Sequence, residues 1–393
     1  MVVTVTATGV MAMDTGNPKT DNKKLAGHLT MKIMILTNND FGLYKFRREL
    51  LEELVRDNKV YICLPNGPFI NDLKSIGCKF IACDPLECRG KNPFKDLQLL
   101  DFYQRVLKKI KPDIVFTYTI KPNVYGGMSC AKLGIPYVVN VTGLGTAIEN
   151  GGLTQAIGLA LYRIGARKAQ KVFFQNRENM DFMVGRRVIK RPHDLLPGSG
   201  VNLNQYQVSP YPEGEIVHFA FVARVMKEKG IDQYLDAARE IRKRNPNTRF
   251  HICGVCDPGY ADVLKQFCDD GTIIYHGLVP DIRSIYQMIS CTVHPTYYPE
   301  GMSNVLLESS ASGRPIITTN RAGCREIIED GVNGFVVKQR DSKDLIDKIE
   351  KFLNLSADER KQMGLNGRAA VERKFDRRIV VRKYLDEVEK VRK

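Results

Sequence analysis

The chain has 393 residues, of which 43% are hydrophobic and 26% charged, and its formal net charge is +15 at pH 7. This length accommodates two domains that each bury a core, and the ordinary composition excludes disordered and fibrous proteins. No run reaches the roughly 18 uninterrupted apolar residues of a membrane span, so we expect no transmembrane helix.

The N-terminal segment and the first half of the chain differ in pattern. Residues 1–30 lack the charged-then-apolar order of a secretory signal, so we expect a leader or disordered arm, with Met31 as a candidate natural start. From Lys32 onward, short β-branched runs alternate with helical patterns, which predicts parallel βα units. The first half gives strands at KIMILT, KVYICLP, DIVFTY, PYVVNV and KVFF, with amphipathic helices at 43–57 and 94–111.

A break rich in Pro, Gly and Tyr near residues 200–215 divides the pattern. Strands then restart at EIVHFAFV, RFHICG, TIIYHG, CTVHP, PIITT and GFVV, and FDRRIVVRKYLDEVEKVRK has the apolar spacing of a helix. We predict an α/β protein of two facing, doubly wound, Rossmann-like parallel-sheet domains, at 31–205 and 206–375, with a cleft between them. The C-terminal helix at 376–393 is expected to pack back on the N-terminal domain.

Loops that follow strands are the candidate binding sites, because open parallel sheets bind ligands at the carboxyl ends of their strands. Gly42 opens the helix after the first strand, where the backbone can approach a ligand and a helix N-terminus favours anions. Arg224 leaves the first strand of the second half, and Lys229 follows it just before a glycine. Two cations at a strand end suit a diphosphate, and a solvated turn is the alternative.

The stretch HPTYYPEGMSNVLLESSASGRP contains two carboxylates in different settings. Glu300 lies in a Pro–Gly loop, whereas Glu308 lies within an apolar segment that predicts a helix. Ser303 or Asn304 can cap this helix, and Gly313 ends it. A carboxylate among Val, Leu and Ala side chains is costly unless it meets a partner, so we expect one for Glu308.

The ten cysteines follow no disulfide-framework spacing, and most lie in apolar strands or helices. This pattern indicates reduced thiols and a cytoplasmic location. Cys253 and Cys256 form the one CxxC motif, and a metal or redox role is its minor alternative because no second CxxC or His pair accompanies it. Neither a Walker loop nor a complete GxGxxG follows a strand, which argues against a P-loop phosphotransferase and a dinucleotide dehydrogenase.

Basic residues are concentrated within 157–191, and such a field of one sign favours an anionic partner. The segment LTQAIGLALYRIGARKAQK combines apolar positions with cations, at Ile157, Leu161, Ile164, Arg163, Arg167, Lys168 and Lys171. This helix could lie on an anionic bilayer, or its apolar face could belong to the core. The sequence has neither the interleaved aromatic and basic residues nor the zinc-finger spacing that would indicate nucleic-acid binding.

The combination of these motifs resembles one enzyme family over about residues 31–390. The Glu300–Glu308 spacing, the Arg224 and Lys229 pair, and GLVPDI, GRPIITT and EDGVNGFVV resemble the second domain of retaining glycosyltransferases of family 4, which have the GT-B fold. NDFGLYKFRREL, TYTIKPNVYGG and NVTGLGTA are similar to bacterial members that extend polyprenyl-diphosphate-linked sugars in capsule, O-antigen or glycan assembly. The combination is specific, although a lone Glu-x7-Glu would not be.

The resemblance implies roles for the residues of the second half. Glu308 would accept hydrogen bonds from the nucleotide ribose, and Glu300 would lie beside the donor sugar. Arg224 and Lys229 would hold the donor diphosphate. Helix-terminal stabilisation would come from backbone amides, at Gly301, Met302, Ser303 and Asn304.

Two further contacts and one departure follow from the resemblance. Gly42 would approach the donor phosphates or the acceptor, and His294 would either contact the sugar or base or be structural. Many family members carry a histidine in the loop after the strand that matches YVVNV. Here that loop reads VTGLGTA and has no histidine, so backbone amides of residues 143–146 are its expected replacement.

The expected function is retaining, metal-independent transfer of a hexose or N-acetylhexosamine from a UDP-sugar to a polyprenyl-diphosphate-linked saccharide. Cations and amides fixed on the leaving diphosphate act where charge grows, so we expect no metal, no other cofactor and a front-face route. Glu300 as a nucleophile is the mechanistic alternative. The expected location is the cytoplasmic face of the membrane. A GT-B UDP-sugar 2-epimerase and a nucleic-acid-binding protein are the alternative functions.

Overall fold

A computed structural model describes residues 30–86, 92–149 and 151–393 of the chain. The expectation of a leader or disordered arm over residues 1–30 therefore falls outside the described residues, apart from Thr30. The described chain forms two parallel sheets, each flanked by helices on both faces.

The first sheet contains seven parallel strands in the order β3-β2-β1-β4-β5-β6-β7. These strands are β1 Lys32–Leu36, β2 Lys59–Leu64, β3 Lys79–Ala82, β4 Ile114–Tyr118, β5 Tyr137–Val141, β6 Lys171–Phe174 and β7 His193–Leu195. Its helices are α1 Asp40–Asp57, α2 Ile70–Ser75, α3 Pro93–Ile110, α4 Gly127–Leu133, α5 Thr146–Glu149, α6 Gly152–Ala166 and α7 Arg177–Gly185. A π-helical turn, Pro122–Gly126, leads directly into α4.

The second sheet contains six parallel strands in the order β10-β9-β8-β11-β12-β13. They are β8 Val217–Val222, β9 Thr248–Cys253, β10 Ile274–Tyr275, β11 Cys291–His294, β12 Ile316–Thr319 and β13 Gly334–Val337. The helices are α8 Ile231–Arg244, α9 Ala261–Asp269, α10 Arg283–Met288, α11 Asn304–Ala311, α12 Ser342–Leu353, α13 Ala357–Lys374 and α14 Arg377–Arg392. The prediction of a doubly wound α/β protein with two parallel sheets is confirmed.

Strand order fixes where each domain can bind a ligand. In the first sheet the chain winds outward from β1 to β3 and then returns to the other side at β4, and β8 and β11 form the corresponding pair in the second sheet. Neighbouring loops diverge at such a switch point and leave a crevice beyond the carboxyl ends of the strands. The loops after β1, β4, β8 and β11 are therefore the ones placed to contact a ligand.

The C-terminal helix α14 crosses back to the first domain. Its Val380, Tyr384 and Val388 are buried in the core beneath β1 and β4. The Tyr384 ring lies between Phe116 and Phe173, at centroid distances of 5.2 and 5.3 Å. Burial of one such aromatic side chain stabilises the folded state by about 2–3 kcal/mol.

The two chain segments that join the domains lie side by side. The Val201 amide donates to the Phe375 carbonyl at 2.9 Å, and the Arg377 amide donates to the Val201 carbonyl at 3.1 Å. The Arg377 guanidinium then reaches into the first domain and donates to the Glu49 carboxylate at 2.7 Å. The paired crossing segments form a hinge at one end of the cleft, and we call residues 200–202 and 375–377 the hinge.

Three histidines form a hydrogen-bonded row across the second sheet. His218 Nδ1 lies 2.9 Å from His251 Nε2, and His251 Nδ1 lies 2.9 Å from His276 Nε2. Burial, and the charges of neighbouring His218, His276 and Arg249, lower the pKa of His251 to about 4. The folded protein therefore keeps this ring neutral under mildly acidic conditions.

Candidate active site

The loops after β8 and β11 come together at the switch point of the second domain. Arg224 follows β8, and Lys229 ends a short 3-10 turn. Gly230, with φ of 80°, starts α8, and a Cβ atom on it would lie 2.2 Å from the Pro295 carbonyl oxygen. Glycine therefore allows the turn that carries Lys229 to pack directly on the loop after β11.

Lys229 and Glu300 form an ion pair at this point, with side chains that are 12% and 17% exposed. The ring of Tyr298 lies beside both cations, with its centroid 4.8 Å from Lys229 Nζ and 5.9 Å from Arg224 Cζ. A ring face attracts cations and restricts their motion. The structure thus groups three predicted residues, Arg224, Lys229 and Glu300, around one tyrosine.

The first domain holds the loop that carries Glu300. The buried Asn176 side chain donates to the carbonyls of Glu300 and Gly301, at 3.1 and 2.7 Å. A Cβ atom on Gly301 would lie 2.0 Å from the Thr142 carbonyl oxygen and 2.5 Å from the Gln175 side-chain oxygen. Only glycine fits between these groups, and the domains are in direct contact here.

A cavity of about 260 Å³ lies between the domains at this contact. The first domain lines it with Asn38, Leu86, Thr119, Ile120, Lys121, Pro122, Thr142, Gly143 and Gly145, and the second with Tyr298, Pro299, Glu300 and Gly301. Its walls come from the loops after β1, β3, β4, β5 and β11. The cavity therefore joins the switch points of both sheets, with a carboxylate from one domain opposite a lysine from the other.

Glu308 projects from the apolar helix α11 next to two tyrosines. The Tyr286 hydroxyl lies 3.4 Å from Glu308 Oε2. Burial raises the pKa of Glu308 to about 7, and the Tyr206 and Tyr286 hydroxyls and the Arg377 and Lys45 charges oppose that increase. The ionised carboxylate is thus less well solvated than in water, and further hydroxyl donors from a ligand would stabilise it.

Several groups that were predicted to contact a ligand bond or pack within the protein instead. The Gly42 amide donates to the Asn39 side chain at 2.7 Å, so Asn39 caps α1, and the neighbouring Asn38 lines the cavity. The Ser303 amide donates to the Gly323 carbonyl at 2.8 Å. Met302 is buried in the core of the second domain.

Two other predicted residues lie beside the ion pair or at the start of α11. Asn304 is the first residue of α11 and is half-buried. His294 is 1% exposed, and neither ring nitrogen has a hydrogen-bond partner among the described residues. Burial and then the Lys229 charge lower its pKa to about 3. His294 therefore lies behind Lys229 as a neutral ring and does not line the cavity.

Two ion pairs close the cleft between the domains. Arg321 pairs with Glu149, and Arg325 pairs with Glu178. The Arg321 and Glu149 side chains are 17% and 30% exposed, so this pair is better shielded from solvent than Arg325 with Glu178. Both pairs join the helical edge of the first domain to the loop after β12.

Four site residues were not predicted from the sequence: Tyr298, Asn176, Lys121 and Asn38. Each follows a strand of one of the sheets, so the rule that selected Arg224 could also have selected them. A polar residue at a strand end is common, however. What distinguishes these four is their place between the domains: Asn176 bonds to the opposite domain, and the other three line the shared cavity.

Comparison with known proteins decides the family. The family model described as "Glycosyl transferase 4-like" matches residues 32–176, and "Glycosyl transferases group 1" matches residues 207–370. The two matches cover both parallel-sheet domains in order. The chain belongs to the glycosyltransferases. The resemblance expected from the motifs is thus confirmed, and the comparisons give the 2-epimerase alternative no support.

Similar proteins span the whole glycosyltransferase. The chain is 25% identical over 375 residues to the N,N'-diacetylbacillosaminyl-diphospho-undecaprenol alpha-1,3-N-acetylgalactosaminyltransferase of Campylobacter jejuni, covering 90% of this chain and 97% of that one. It is 23% identical over 336 residues to the UDP-Gal:alpha-D-GlcNAc-diphosphoundecaprenol alpha-1,3-galactosyltransferase of Escherichia coli, covering 79% and 85%. The structure of Anabaena HepE in complex with UDP superposes with a TM-score of 0.76 at 16% identity, covering 92% of this chain and 100% of that one. This last likeness confirms the GT-B fold.

The surface of the glycosyltransferase includes an exposed face on α6. Tyr162, Gly165 and Ala166 are the buried residues of this helix, whereas Ile157 and Ile164 are 52% and 42% exposed. The alternative that the predicted apolar face belongs to the core is therefore wrong for these two residues. No described helix is both long and apolar enough to cross a membrane. Within the same residues, no group of three or more His, Cys, Asp or Glu side chains is placed to hold a metal ion.

Proposed function

We propose that this glycosyltransferase moves a hexose or N-acetylhexosamine from a UDP-sugar to a polyprenyl-diphosphate-linked saccharide, with retention of configuration and without a metal ion. The observation that carries the proposal is the cavity between the switch points of the two sheets, which places the Lys229–Glu300 pair opposite the first domain. The two relatives whose names specify such acceptors match this chain over most of its length.

The second domain would bind the donor. Glu308 would accept hydrogen bonds from the ribose hydroxyls, which would stabilise its desolvated carboxylate. Arg224 and Lys229 would contact the diphosphate, with Tyr298 restricting both side chains. Because these cations are fixed before the reaction, they would stabilise the charge that develops on the leaving UDP without reorganisation of the protein.

Metal independence and retention are the further parts of this proposal. Arg224 and Lys229 supply two positive charges where other transferases use a cation, so we propose that no metal and no other cofactor are needed. The acceptor hydroxyl would attack from the face that UDP leaves, and a departing phosphate oxygen would take its proton. Glu300 would contact the donor sugar and orient Lys229, since the ion pair already holds its carboxylate.

The acceptor and its membrane would lie on the first domain. Leu153 and Ile157 of α6 are 78% and 52% exposed, and the exposed cations Arg163, Arg167 and Lys168 follow on the same stretch. Apolar side chains beside cations favour an anionic bilayer surface over nucleic acid. We therefore propose a peripheral location on the cytoplasmic face of the membrane, through the basic stretch 157–191.

A substrate panel tests the proposed reaction. UDP-sugars and polyprenyl-diphosphate-linked saccharides are combined with and without a chelator, and product mass, UDP release and the anomeric configuration of the product are measured. We expect a retained anomer, full activity in chelator, and losses of about 100-fold or more for Lys229→Ala and Glu308→Ala. The folded state of both variants is checked by thermal unfolding. An inverted product, or full activity in both variants, contradicts the proposal.

The membrane proposal has its own test. The wild type and Leu153→Ser/Ile157→Ser are sedimented with vesicles of neutral lipid or of neutral lipid with anionic lipid. We expect the wild type to bind anionic vesicles, more weakly as salt rises, and the variant to bind at least tenfold more weakly. Equal binding of both proteins, or binding to oligonucleotides in preference to vesicles, contradicts it.

A further inference from the structure

Lys121 lines the first-domain wall of the cavity, and the donor chemistry described above does not use it. We infer that Lys121 binds the diphosphate of the lipid-linked acceptor, and that exposed Phe94 and Leu97 beside it contact the first units of the lipid chain. This inference rests on the proposed function, and it assigns the part of the acceptor that the first domain recognises.

The position of Lys121 follows from the fold. Strand β4 ends at Tyr118, next to β1 at the switch point of the first sheet, and the π-helical turn begins directly after Lys121. Its side chain is 16% exposed and borders the same cavity as Glu300. Lys121 is the lysine that the first domain presents to this cavity, among the residues that line it.

Asp96 and Tyr125 hold this lysine in place. Lys121 Nζ lies 2.8 Å from Asp96 Oδ1, and the Tyr125 hydroxyl donates to Asp96 Oδ2 at 2.9 Å. An ammonium group has three N–H donors, so one contact to Asp96 leaves capacity for a ligand. The carboxylate thus orients the cation, and the ammonium can act as a point charge on a phosphate.

The apolar part of the acceptor has a matching surface on the same helical turn. Phe94 and Leu97 flank Asp96 in the sequence of the first turns of α3, and their side chains are 77% and 63% exposed. Helices between parallel strands begin near the carboxyl edge of the sheet, and Asp96 of this turn contacts Lys121, so the turn lies beside the cavity. An anchored cation inside the cleft and large exposed apolar groups at its edge fit an anionic head group joined to a lipid chain.

The diphosphate must lie inside the cleft if the acceptor carries a single sugar. The attacking hydroxyl and the anomeric diphosphate then belong to the same ring, so the phosphates lie one sugar away from the transferred group. The donor diphosphate already has Arg224 and Lys229 on the opposite domain. The diphosphate of the acceptor needs a separate cation on the first domain, and Lys121 lies on the first-domain wall of the cavity.

The test uses two acceptors that differ only in charge. One carries the acceptor sugar on a diphosphate with a polyprenyl chain, and the other carries the same sugar on a neutral linker with the same chain. For Lys121→Met we expect the KM for the charged acceptor to rise at least tenfold, with unchanged KM values for the neutral acceptor and the UDP-sugar. Lys121→Arg restores most of the affinity. Lys132→Met, on exposed Lys132 of α4, is the matched control and behaves as the wild type.

The lipid contact is separated by chain length. Phe94→Ser/Leu97→Ser should raise the KM for the polyprenyl acceptor and leave a sugar-diphosphate acceptor without an isoprenoid chain unaffected. If Lys121→Met raises the KM equally for the charged and the neutral acceptor, Lys121 recognises sugar hydroxyls and the inference is overturned. The inference is also overturned if the KM for the charged acceptor does not rise. Absence of transfer by the wild type to every lipid-diphosphate acceptor refutes the proposed function itself.

Discussion

The proposed contact of Glu308 with the donor ribose predicts that donor binding depends on pH. Desolvation of the Glu308 carboxylate raises its pKa to about 7 from an ordinary value of 4.5, against the hydrogen bonds from Tyr206 and Tyr286. Two ribose hydroxyls would donate further hydrogen bonds to the ionised form only. Donor affinity should therefore be complete above pH 7 and should fall as the pH is lowered through 7, where the free protein becomes protonated.

The size of the effect follows from the shift. If the bound ribose returns the pKa to its ordinary value, the shift of about 2.5 units corresponds to about 3 kcal/mol, or about 300-fold in affinity. The loss should amount to about tenfold for each pH unit below 7. Replacement by glutamine keeps the shape of the side chain but removes the titrating group, so Glu308→Gln should bind the donor weakly at every pH.

Isothermal titration calorimetry with a UDP-sugar, without acceptor, measures this dependence between pH 5.5 and 8.5. An intact UDP-sugar is preferable to UDP because its diphosphate has no free terminal phosphate group to titrate. Glu372→Gln, at an exposed residue of α13, is the control and should follow the wild type. Wild-type affinity that does not change between pH 6 and 8, or a Glu308→Gln protein that matches it at pH 8, refutes this role of Glu308.

Three further results are expected. Lys229→Met should lower kcat by about 100- to 1,000-fold with little change in the unfolding temperature, since it removes a cation from the leaving group; a loss confined to KM would contradict this role. Gly301→Ala should lower kcat by about 100-fold, because its Cβ would meet the Thr142 carbonyl and push the domains apart; small-angle scattering should detect a wider cleft, and unchanged scattering and activity would contradict the contact. His251→Phe should lose less stability than the wild type as the pH falls from 6.5 to 4. The wild-type ring must stay neutral with a pKa of about 4, which accounts for about 3 kcal/mol, and parallel unfolding curves for both proteins across that range would contradict this.

Central strands could be predicted from the sequence because burial on both faces produces continuous apolar runs. The runs DIVFTY and PYVVNV became β4 and β5, whose residues are all buried. Strands β3 and β7 form the two edges of the first sheet and were not predicted. β7 has the sequence His-Asp-Leu, without an apolar run, and the run in β3 is confined to residues 80–83.

The site residues that could be predicted are those whose sequence motif lies within a single loop. Arg224, Lys229 and Glu300 lie in strand-end loops, and the structure brings them together. Asn176 and Lys121 belong to the site because they face the opposite domain across the cleft. A sequence pattern does not show which loops meet across a cleft. Gly42 lies in the first turn of α1, after the first strand as predicted, but its amide donates to the Asn39 side chain that caps this helix.

The hinge limits how the two domains can move. Val201 is bonded on one side to Phe375 and on the other to Arg377, so the two connections behave as a single axis and not as two independent tethers. Rotation about that axis would separate Asn176 from the Glu300 loop and break both cleft ion pairs in the same motion. If the domains rotate in this way during turnover, opening of the cleft and loss of the Glu300 loop contacts are one motion. A substitution at Val201 or Arg377 should then change turnover without touching either substrate.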